Sequence, residues 1–354
     1  MMKRNKKLWI IAGAIAIVLV IIIGGILYYN SQLKAVSKQK DEVIFEIKQG
    51  EPQPEILKSL EKENLIKNAD MAKICLKLNG LSDMKYGIFK LDRSWDTKQI
   101  LETLNDATKA KQNETMITFK EGMWAKDVAL TLEKELGVSS KELISLWNDD
   151  AYLNTLIQKY PFLTKDILNE DVRVKLEGYL FPETYVFSKK ATPEQITETF
   201  LDHFLTIYQK YEKDIKESGQ SIHDIIKLAS MVQYEASTKK DMELVAGVFY
   251  NRLKKGMKLE SSVTVCYALY DDLTSGEDCE IQYNIDSPYN TYKIEGLPVG
   301  PILNPGEDAI AAVLHPEKSD YLYFVADIYG DGKVYYAKTY DEQLKNQEKF
   351  NLNK

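Results

Sequence analysis

The stretch DIIKLASMVQYEASTKKDMELVAGVFYNRLKKG, residues 224 to 256, decides how the rest of the chain is read. Leu228, Val232 and Glu235 fall at i, i+4 and i+7, so Glu235 continues an apolar helical stripe rather than a polar one. That face is expected to be buried. A carboxyl group partly desolvated on it has its charged form disfavoured, so its pKa rises and it can hold a proton near neutral pH, as a general acid must. The plainer reading has Glu235 ending a helix in solvent and pairing with Lys239 at i+4, a contact worth only ~0.2–0.5 kcal/mol. Periodicity leaves both readings open.

At 354 residues the chain is too long for one ordinary compact domain, and two or three are expected. A hydrophobic content of 44% and a charged content of 28% are globular values. The net charge of -7 conceals an asymmetry: Lys3, Arg4, Lys6 and Lys7 stand in a heptapeptide without acids, which leaves -11 on the remainder. An acidic body argues against nucleic acid as a partner. Cys75, Cys266 and Cys279 are too few for a disulfide framework and lack zinc-ligand spacing; only Cys266 and Cys279 are near enough in sequence to suggest a bridge. His203, His223 and His315 are isolated, so no metal site is assembled from sequence neighbours, and His203 is assigned to structure.

Residues 8–28, LWIIAGAIAIVLVIIIGGILY, run 21 positions without a charge, enough to cross a hydrocarbon core of ~30 Å. They are expected to form a single N-terminal transmembrane helix. The basic residues 1–7 predict a cytoplasmic tail, Trp9, Tyr28 and Tyr29 fit the two interfaces, and everything from about residue 30 is expected outside the cytoplasm. Residues 29–42 read as a polar linker. An internal repeat follows: VIFEIKQGEPQPEILKSLEKE (43–63) and MITFKEGMWAKDVALTLEKE (116–135) share a strand-like start, a Lys-x-Gly turn and a helix ending Leu-Glu-Lys-Glu. Phe45, Lys48, Gly50, Ile56 and Leu60 correspond to Ile117, Lys120, Gly122, Val128 and Leu132, 72 residues on, and residues 87–107 repeat the pattern faintly.

Residues 139–170 read as helical, with Ser139 or Ser140 as cap and Leu143, Leu146 and Trp147 on one face; residues 193–218 form an amphipathic helix with Ile196, Phe200, Phe204 and Ile207 inward. LEGYLFPETYVF (176–187) sets four aromatics beside carboxylates, which suits either a sugar groove or a core-packing loop whose tyrosines bond locally. SPYNTYKIEGLPVGPILNPG (287–306) carries three glycines and four prolines, an irregular surface backbone of the kind used for binding loops. The C-terminal region reads as a helix, strand YLYFVAD, a turn at Gly330 to Gly332, strand KVYYAK and a closing helix.

Four of these stretches resemble the endolytic murein transglycosylases, the MltG or YceG-like family. Its pattern A-S-[IV]-[IV]-E-K-E-[AT] reads ASMVQYEAS here, so its first Glu is Gln233 and its second, the family's catalytic acid, is Glu235; V-A-x-V-F-x-N-R-L-x-x-G-M-x-L reads VAGVFYNRLKKGMKL, with Asn251 in place. LEGYLFPETYVF is similar to the family's EGWFWPDTY-like element through Glu177, and Tyr289, Asn290 and Tyr292 stand in the family's YNTY string. The family's L-Q-T-D-P-T-V-x-Y appears as LESSVTVCY, with Ser262 and Val263 for Asp-Pro, and Lys333 stands where the family often has histidines.

The resemblance implies an α+β protein: the anchor, LysM-like α+β units over 43–138, and a mixed α+β catalytic domain over 139–350. It implies peptidoglycan glycan strands as substrate, no cofactor or metal, and cleavage of the β-1,4 bond between N-acetylmuramic acid and N-acetylglucosamine by the muramyl 6-hydroxyl, leaving a 1,6-anhydro end and terminating glycan elongation. Glu235 is then the catalytic acid and base, Glu177, Asn251, Tyr289, Asn290 and Tyr292 bind substrate, and penicillin-binding-protein synthases are implied partners. Two alternatives remain: a membrane-anchored glycan-binding scaffold, supported by the missing Asp-Pro and by Gln233, and a true muramidase with Glu183, Glu243 or Asp241 as its second carboxylate.

Overall fold

The apolar N-terminal run forms one helix, α1 (Met2–Gln32), and its residues Ile15–Gln32 are long and apolar enough to cross a membrane. In the computed structural model the protein is described over residues 2–326 and 333–349, apart from the side chains of 2–14 and of Glu277. The chain divides into two compact units, Met1–Met116 with Val186–Lys189, and Ile117–Tyr185 with Lys190–Lys354.

In the first unit β1 (Glu42–Ile47) is followed by α2 (Gln53–Lys62), α3 (Ala69–Asn79), β2 (Gly87–Asp92) and α4 (Thr97–Asn105). The two strands pair antiparallel with Phe45 opposite Phe89, and both rings are buried. Each helix starts or stops on a local signal. Asn68 caps α3 by accepting from the Met71 amide, Asp96 and Gln99 form a capping box on α4, and Gly80 ends α3 at φ 67°. Ile56, Leu60, Ile100, Leu101 and Leu104 close over the sheet to make the core.

The repeat is visible in backbone detail. Gly50 and Gly122 both sit at φ 82°, a left-handed turn that glycine adopts without strain, and Ile56 and Leu60 are buried as Val128 and Leu132 are. The copies nevertheless part company. β1 pairs with β2, whereas β3 (Glu114–Thr118) pairs with β4 (Thr184–Ser188), and the helix of the second copy, α5 (Ala125–Leu136), belongs to the second unit.

The second unit continues through α6 (Ser140–Leu146), α7 (Asp150–Lys159), a 3-10 turn at Lys165–Leu168, α8 (Pro193–Ser218), α9 (Ile222–Glu235) and α10 (Lys239–Lys254). Ser139 caps α6, and the Trp147 indole, fully buried, donates to Thr197 Oγ1 at 2.8 Å. Helix α8 buries Ile196, Phe200, Phe204 and Ile207, the face expected of it. Helix α9 is the pillar of the unit, burying Ile225, Leu228, Ala229, Met231 and Val232. Against it pack α10, α11 (Ser262–Leu269) and α13 (Glu307–Leu314), with the short α12 (Glu277–Ile281) beside α11. Strands β5 (Tyr323–Ala326) and β6 (Val334–Ala337) form an antiparallel pair on which α14 (Tyr340–Lys349) rests, Gln343 donating to the Phe324 carbonyl at 2.9 Å. The turn expected at Gly330 to Gly332 lies outside the described residues.

Candidate active site

Helix α9 ends on Glu235, and the two preceding stripe residues, Leu228 and Val232, are fully buried. Glu235 keeps part of its surface open while protein crowds its other sides. Its Oε1 accepts from Ser261 Oγ at 2.7 Å. Desolvation pushes the carboxyl up to about 7 and the charge of Glu280 pushes the same way, while the Ser261 hydrogen bond holds it back. The expected pairing with Lys239 is not made: that ammonium, at the start of α10, goes to Asp308 of α13 at 2.7 Å. Glu235 is therefore a helix-terminal carboxyl that can be protonated near neutrality and has a donor aimed at it.

Ser261 is held by a buried hydroxyl cluster. Its amide donates to Thr291 Oγ1 at 3.0 Å, and Thr264 Oγ1 donates to its carbonyl at 2.6 Å and lies 2.9 Å from Thr291 Oγ1. The LESSVTVCY and YNTY strings are thus tied to each other beneath the acid. Gln233, two residues before Glu235, accepts from the Gly306 amide at 2.8 Å and donates to Glu121 Oε2 at 3.2 Å. A carboxylate at 233 could accept from Gly306 but would repel Glu121, so the amide matches this chain's own neighbour.

The residues expected to bind sugar are placed differently from one another. Glu177 is fully buried and accepts from the Ala125 amide at 2.8 Å, Tyr267 Oη at 2.9 Å and Asn304 Nδ2 at 3.1 Å. Tyr289 is buried and its hydroxyl accepts from the Arg173 amide; Asn290 is buried and donates to the carbonyls of Tyr283 and Ile285. Asn251 donates to the carbonyls of Ser319 and Tyr321 at 2.8 and 2.9 Å. These four side chains fasten backbone to backbone, and Glu177, Tyr289 and Asn290 have no exposed face for a sugar. Tyr292 is partly exposed and follows Thr291, whose hydroxyl accepts from the amide of Ser261, the donor to Glu235.

The aromatics of 176–187 form core, because Tyr179, Phe181, Tyr185 and Phe187 are buried and the Tyr185 hydroxyl donates locally to the Phe181 carbonyl at 2.7 Å. Asn304, which the motif reading passed over, is a hub: its Oδ1 accepts from the amides of Gly178 and Leu180, and its Nδ2 donates to the Met123 carbonyl and to Glu177. Sequence marks it only as the Asn of the Asn-Pro-Gly string. Arg173, also unnoticed, donates to the carbonyls of Tyr267 and Ala268 at the end of α11. Cys266 and Cys279 form a disulfide.

The histidines serve packing and pairing. His203 stacks on Phe181, the buried His223 shares its Nδ1 with Tyr179 Oη at 2.8 Å, and His315 Nε2 lies 3.1 Å from Asp214 Oδ2. Among the described residues no group of three His, Cys, Asp or Glu side chains could hold a metal. A cavity of about 750 Å³ lined by Asp166, His223, Asp224 and Lys227 lies at the opposite end of α9 from Glu235 and includes neither Glu235 nor Ser261.

A model of the YceG-like family matches residues 45–349. The chain is 36% identical over 336 residues to an endolytic murein transglycosylase of Bacillus subtilis, covering 93% of this chain and 91% of that protein. It is 32% identical over 330 residues to an endolytic murein transglycosylase of Streptococcus pneumoniae, covering 90% of this chain and 60% of that longer protein. A crystal structure of a yceG-like protein from Listeria monocytogenes matches 87% of this chain and 100% of its own at 32% identity, with a TM-score of 0.60. With one family model spanning nearly all of the chain beyond its apolar helix, and relatives above 30% identity across nine-tenths of its length, the chain belongs to the YceG-like family.

Proposed function

We propose that the protein is an endolytic peptidoglycan lytic transglycosylase that cleaves the β-1,4 bond between N-acetylmuramic acid and N-acetylglucosamine in nascent glycan strands, leaving 1,6-anhydro ends and so terminating elongation. The observation that carries the reading is Glu235 itself, a carboxyl raised to about 7 at the end of a buried helix and tethered to Ser261. The names of the relatives supply the substrate. Protonated Glu235 gives its proton to the leaving O4 of the N-acetylglucosamine as the anomeric bond breaks. The resulting carboxylate takes the proton of the muramyl 6-hydroxyl, whose oxygen closes on the anomeric carbon. One carboxyl serves both steps and no water is consumed.

The second carboxylates considered for a hydrolase each have contacts of their own away from Glu235. Asp241 accepts from Tyr336 Oη and Thr238 Oγ1, Glu243 lies 3.8 Å from Lys240, and Glu183 accepts from the Thr184 amide. The apolar helix supports a single-pass anchor with its basic end in the cytoplasm and the two units outside. The first unit is read as LysM-like, and a cavity of about 590 Å³ along β1 and α2, lined by Phe45, Lys48, Gln49 and Ser59, supports contact with glycan there. Cell-wall synthases are the partners this placement suits.

The test is mass spectrometry of products from uncrosslinked glycan strands treated with the full chain in detergent, beside its Glu235→Gln variant. Internal fragments ending in 1,6-anhydromuramic acid are expected, reduced at least about 100-fold in the variant, since general acid–base catalysis typically contributes ~10²–10⁴-fold. Reducing ends would replace the lyase by a hydrolase. Intact strands that co-sediment with the protein would replace it by the scaffold.

A further inference from the structure

Between α11 and the YNTY string the chain makes a detour, residues 270–286, that the family motifs do not describe. Its sequence, YDDLTSGEDCEIQYNID, is acidic and leaves Leu273, Ile281, Tyr283 and Ile285 exposed or half-exposed where a solvated loop needs no apolar side chain. It is fastened at both ends and in the middle. At its start Tyr270, a non-glycine residue at φ 50°, stacks on Trp124 with centroids 5.3 Å apart and planes at 9°, and the ammonium of Lys126 and guanidinium of Arg173 lie 4.0 and 4.4 Å from its ring. Asp278 Oδ2 accepts from the amides of Thr274 and Ser275, closing the turn that leads into α12. At its end Asn290 holds the carbonyls of Tyr283 and Ile285 at 2.9 and 2.7 Å, and the Tyr283 ring lies 5.8 Å from Tyr292.

The middle fastening is covalent. Cys279 of α12 is bonded to Cys266 of α11, and it packs, buried, with Val265 and Leu269 and against the partly buried Ile285 and Tyr292. Helix α11 begins one residue after Ser261, the donor to Glu235. The bridge therefore ties the detour to the element that orients the acid. What the detour turns outward is unusual for a bare surface: Ile281 is 69% exposed and Tyr283 47% exposed, next to the exposed carboxylate of Glu280, whose charge reaches both Glu235 and Tyr292. Apolar side chains flanked by acids near a catalytic carboxyl match the chemistry of a pyranose ring, whose C–H face rests on apolar or aromatic groups while its hydroxyls donate to carboxylates.

We propose that residues 270–286 are a saccharide-binding wall of the Glu235 site, in which Tyr283 and Ile281 present the apolar face, the exposed carboxylate of Glu280 accepts from sugar hydroxyls, and the Cys266–Cys279 bridge holds the wall in place. This rests on the transglycosylase reading. A phosphine reductant with one water converts the bridge to two thiols and is itself oxidised to the phosphine oxide, so the wall can be released in the intact protein without mutation.

The experiment compares the full chain in detergent, with and without the phosphine, with its Cys266→Ser/Cys279→Ser, Tyr283→Ala and Glu280→Gln variants on glycan strands of defined length. Reduction and the double serine variant should each raise KM about five- to tenfold with kcat changed less than about twofold, and the double variant should be indifferent to the phosphine. Tyr283→Ala and Glu280→Gln should raise KM similarly. Unchanged KM in reduced protein with both thiols alkylated and in Tyr283→Ala would overturn the wall, and unchanged KM in Glu280→Gln would overturn its contact with the sugar. Should the double variant misfold, the two exposed-residue variants still decide. A wild-type protein that cleaves nothing would sink the transglycosylase reading, and equal co-sedimentation of strands with wild type and Tyr283→Ala would then overturn the wall separately.

Discussion

At the scale of the residue, two side chains 26 positions apart carry the proposed chemistry, and only one is legible in advance. Glu235 is legible because a helix repeats its faces by simple counting, so a carboxylate at the end of an apolar stripe stands out. Ser261 is not, since its hydroxyl reaches Oε1 at 2.7 Å only after α11 has folded back against α9. Their opposition yields a prediction. The carboxyl must start protonated to act as acid, and it is raised to about 7, so kcat/KM should fall as pH rises through about 7. The Ser261 hydrogen bond stabilises the charged form. Ser261→Ala should therefore move that limb upward by about one pH unit, because hydrogen bonds to charged groups are worth ~1.5–3 kcal/mol and one unit is ~1.4 kcal/mol. A pH–rate profile of the two proteins checks it, and a limb displaced downward would contradict the assigned donor.

At the scale of the element, the helices were readable and the polar loops misled. Helix α8 runs from Pro193 to Ser218 and buries the face its periodicity marks, because amphipathic spacing and a Thr192 cap are local signals. Glu177 and Asn290 read as groove residues because a carboxylate and an amide among aromatics look solvent-facing on paper. Saturation of their hydrogen bonds within the core is a tertiary property that no local window contains. The element they secure is testable through Gly178. It sits at φ 89°, and a Cβ there would lie 2.6 Å from Pro301 Cβ and 2.7 Å from Ile226 Cγ2, inside both the Pro-Gly loop and α9. Gly178→Ala should destabilise the protein by about 2–4 kcal/mol, since overpacking alone costs ~1–3 kcal/mol and the left-handed backbone adds to it. Thermal denaturation reads this; a loss below about 0.5 kcal/mol would mean that these elements pack loosely enough to yield.

At the scale of the whole molecule, the protein has two compact units, the first beginning with the apolar helix, and the second is built around carboxyls that prefer to keep their protons. Glu177 is raised by burial to about 8, although Tyr267, Ala125 and Asn304 all donate to it, and Glu235 is raised to about 7. Both are near the ordinary carboxyl range when unfolded. Between those values the folded state binds protons that the unfolded state has released, so stability is fullest below the unfolded pKa and is lost as pH rises towards 8. His223 acts oppositely: burial lowers it to about 4, and its contribution is lost as pH falls below about 6.5. Above that value the His223 contribution is nearly complete and the two carboxyls outweigh it. The melting temperature should therefore fall between pH 6.5 and 8, and Glu177→Gln should flatten the fall. Its amide can accept from Ala125 and Asn304 through oxygen and donate to Tyr267 through nitrogen, so the hydrogen bonds survive while the titration disappears. The variant should match the wild type near pH 5 and exceed it at pH 8 by up to a few kcal/mol, the size set by one proton over the shifted interval at ~1.4 kcal/mol per unit. Melting curves at the two pH values check this. A variant less stable at pH 8 would mean that the three donors hold Glu177 ionised in the fold. The same direction governs the proposed catalysis, because the proton that steadies the core below pH 7 is matched by the one Glu235 carries into the first step of that reaction.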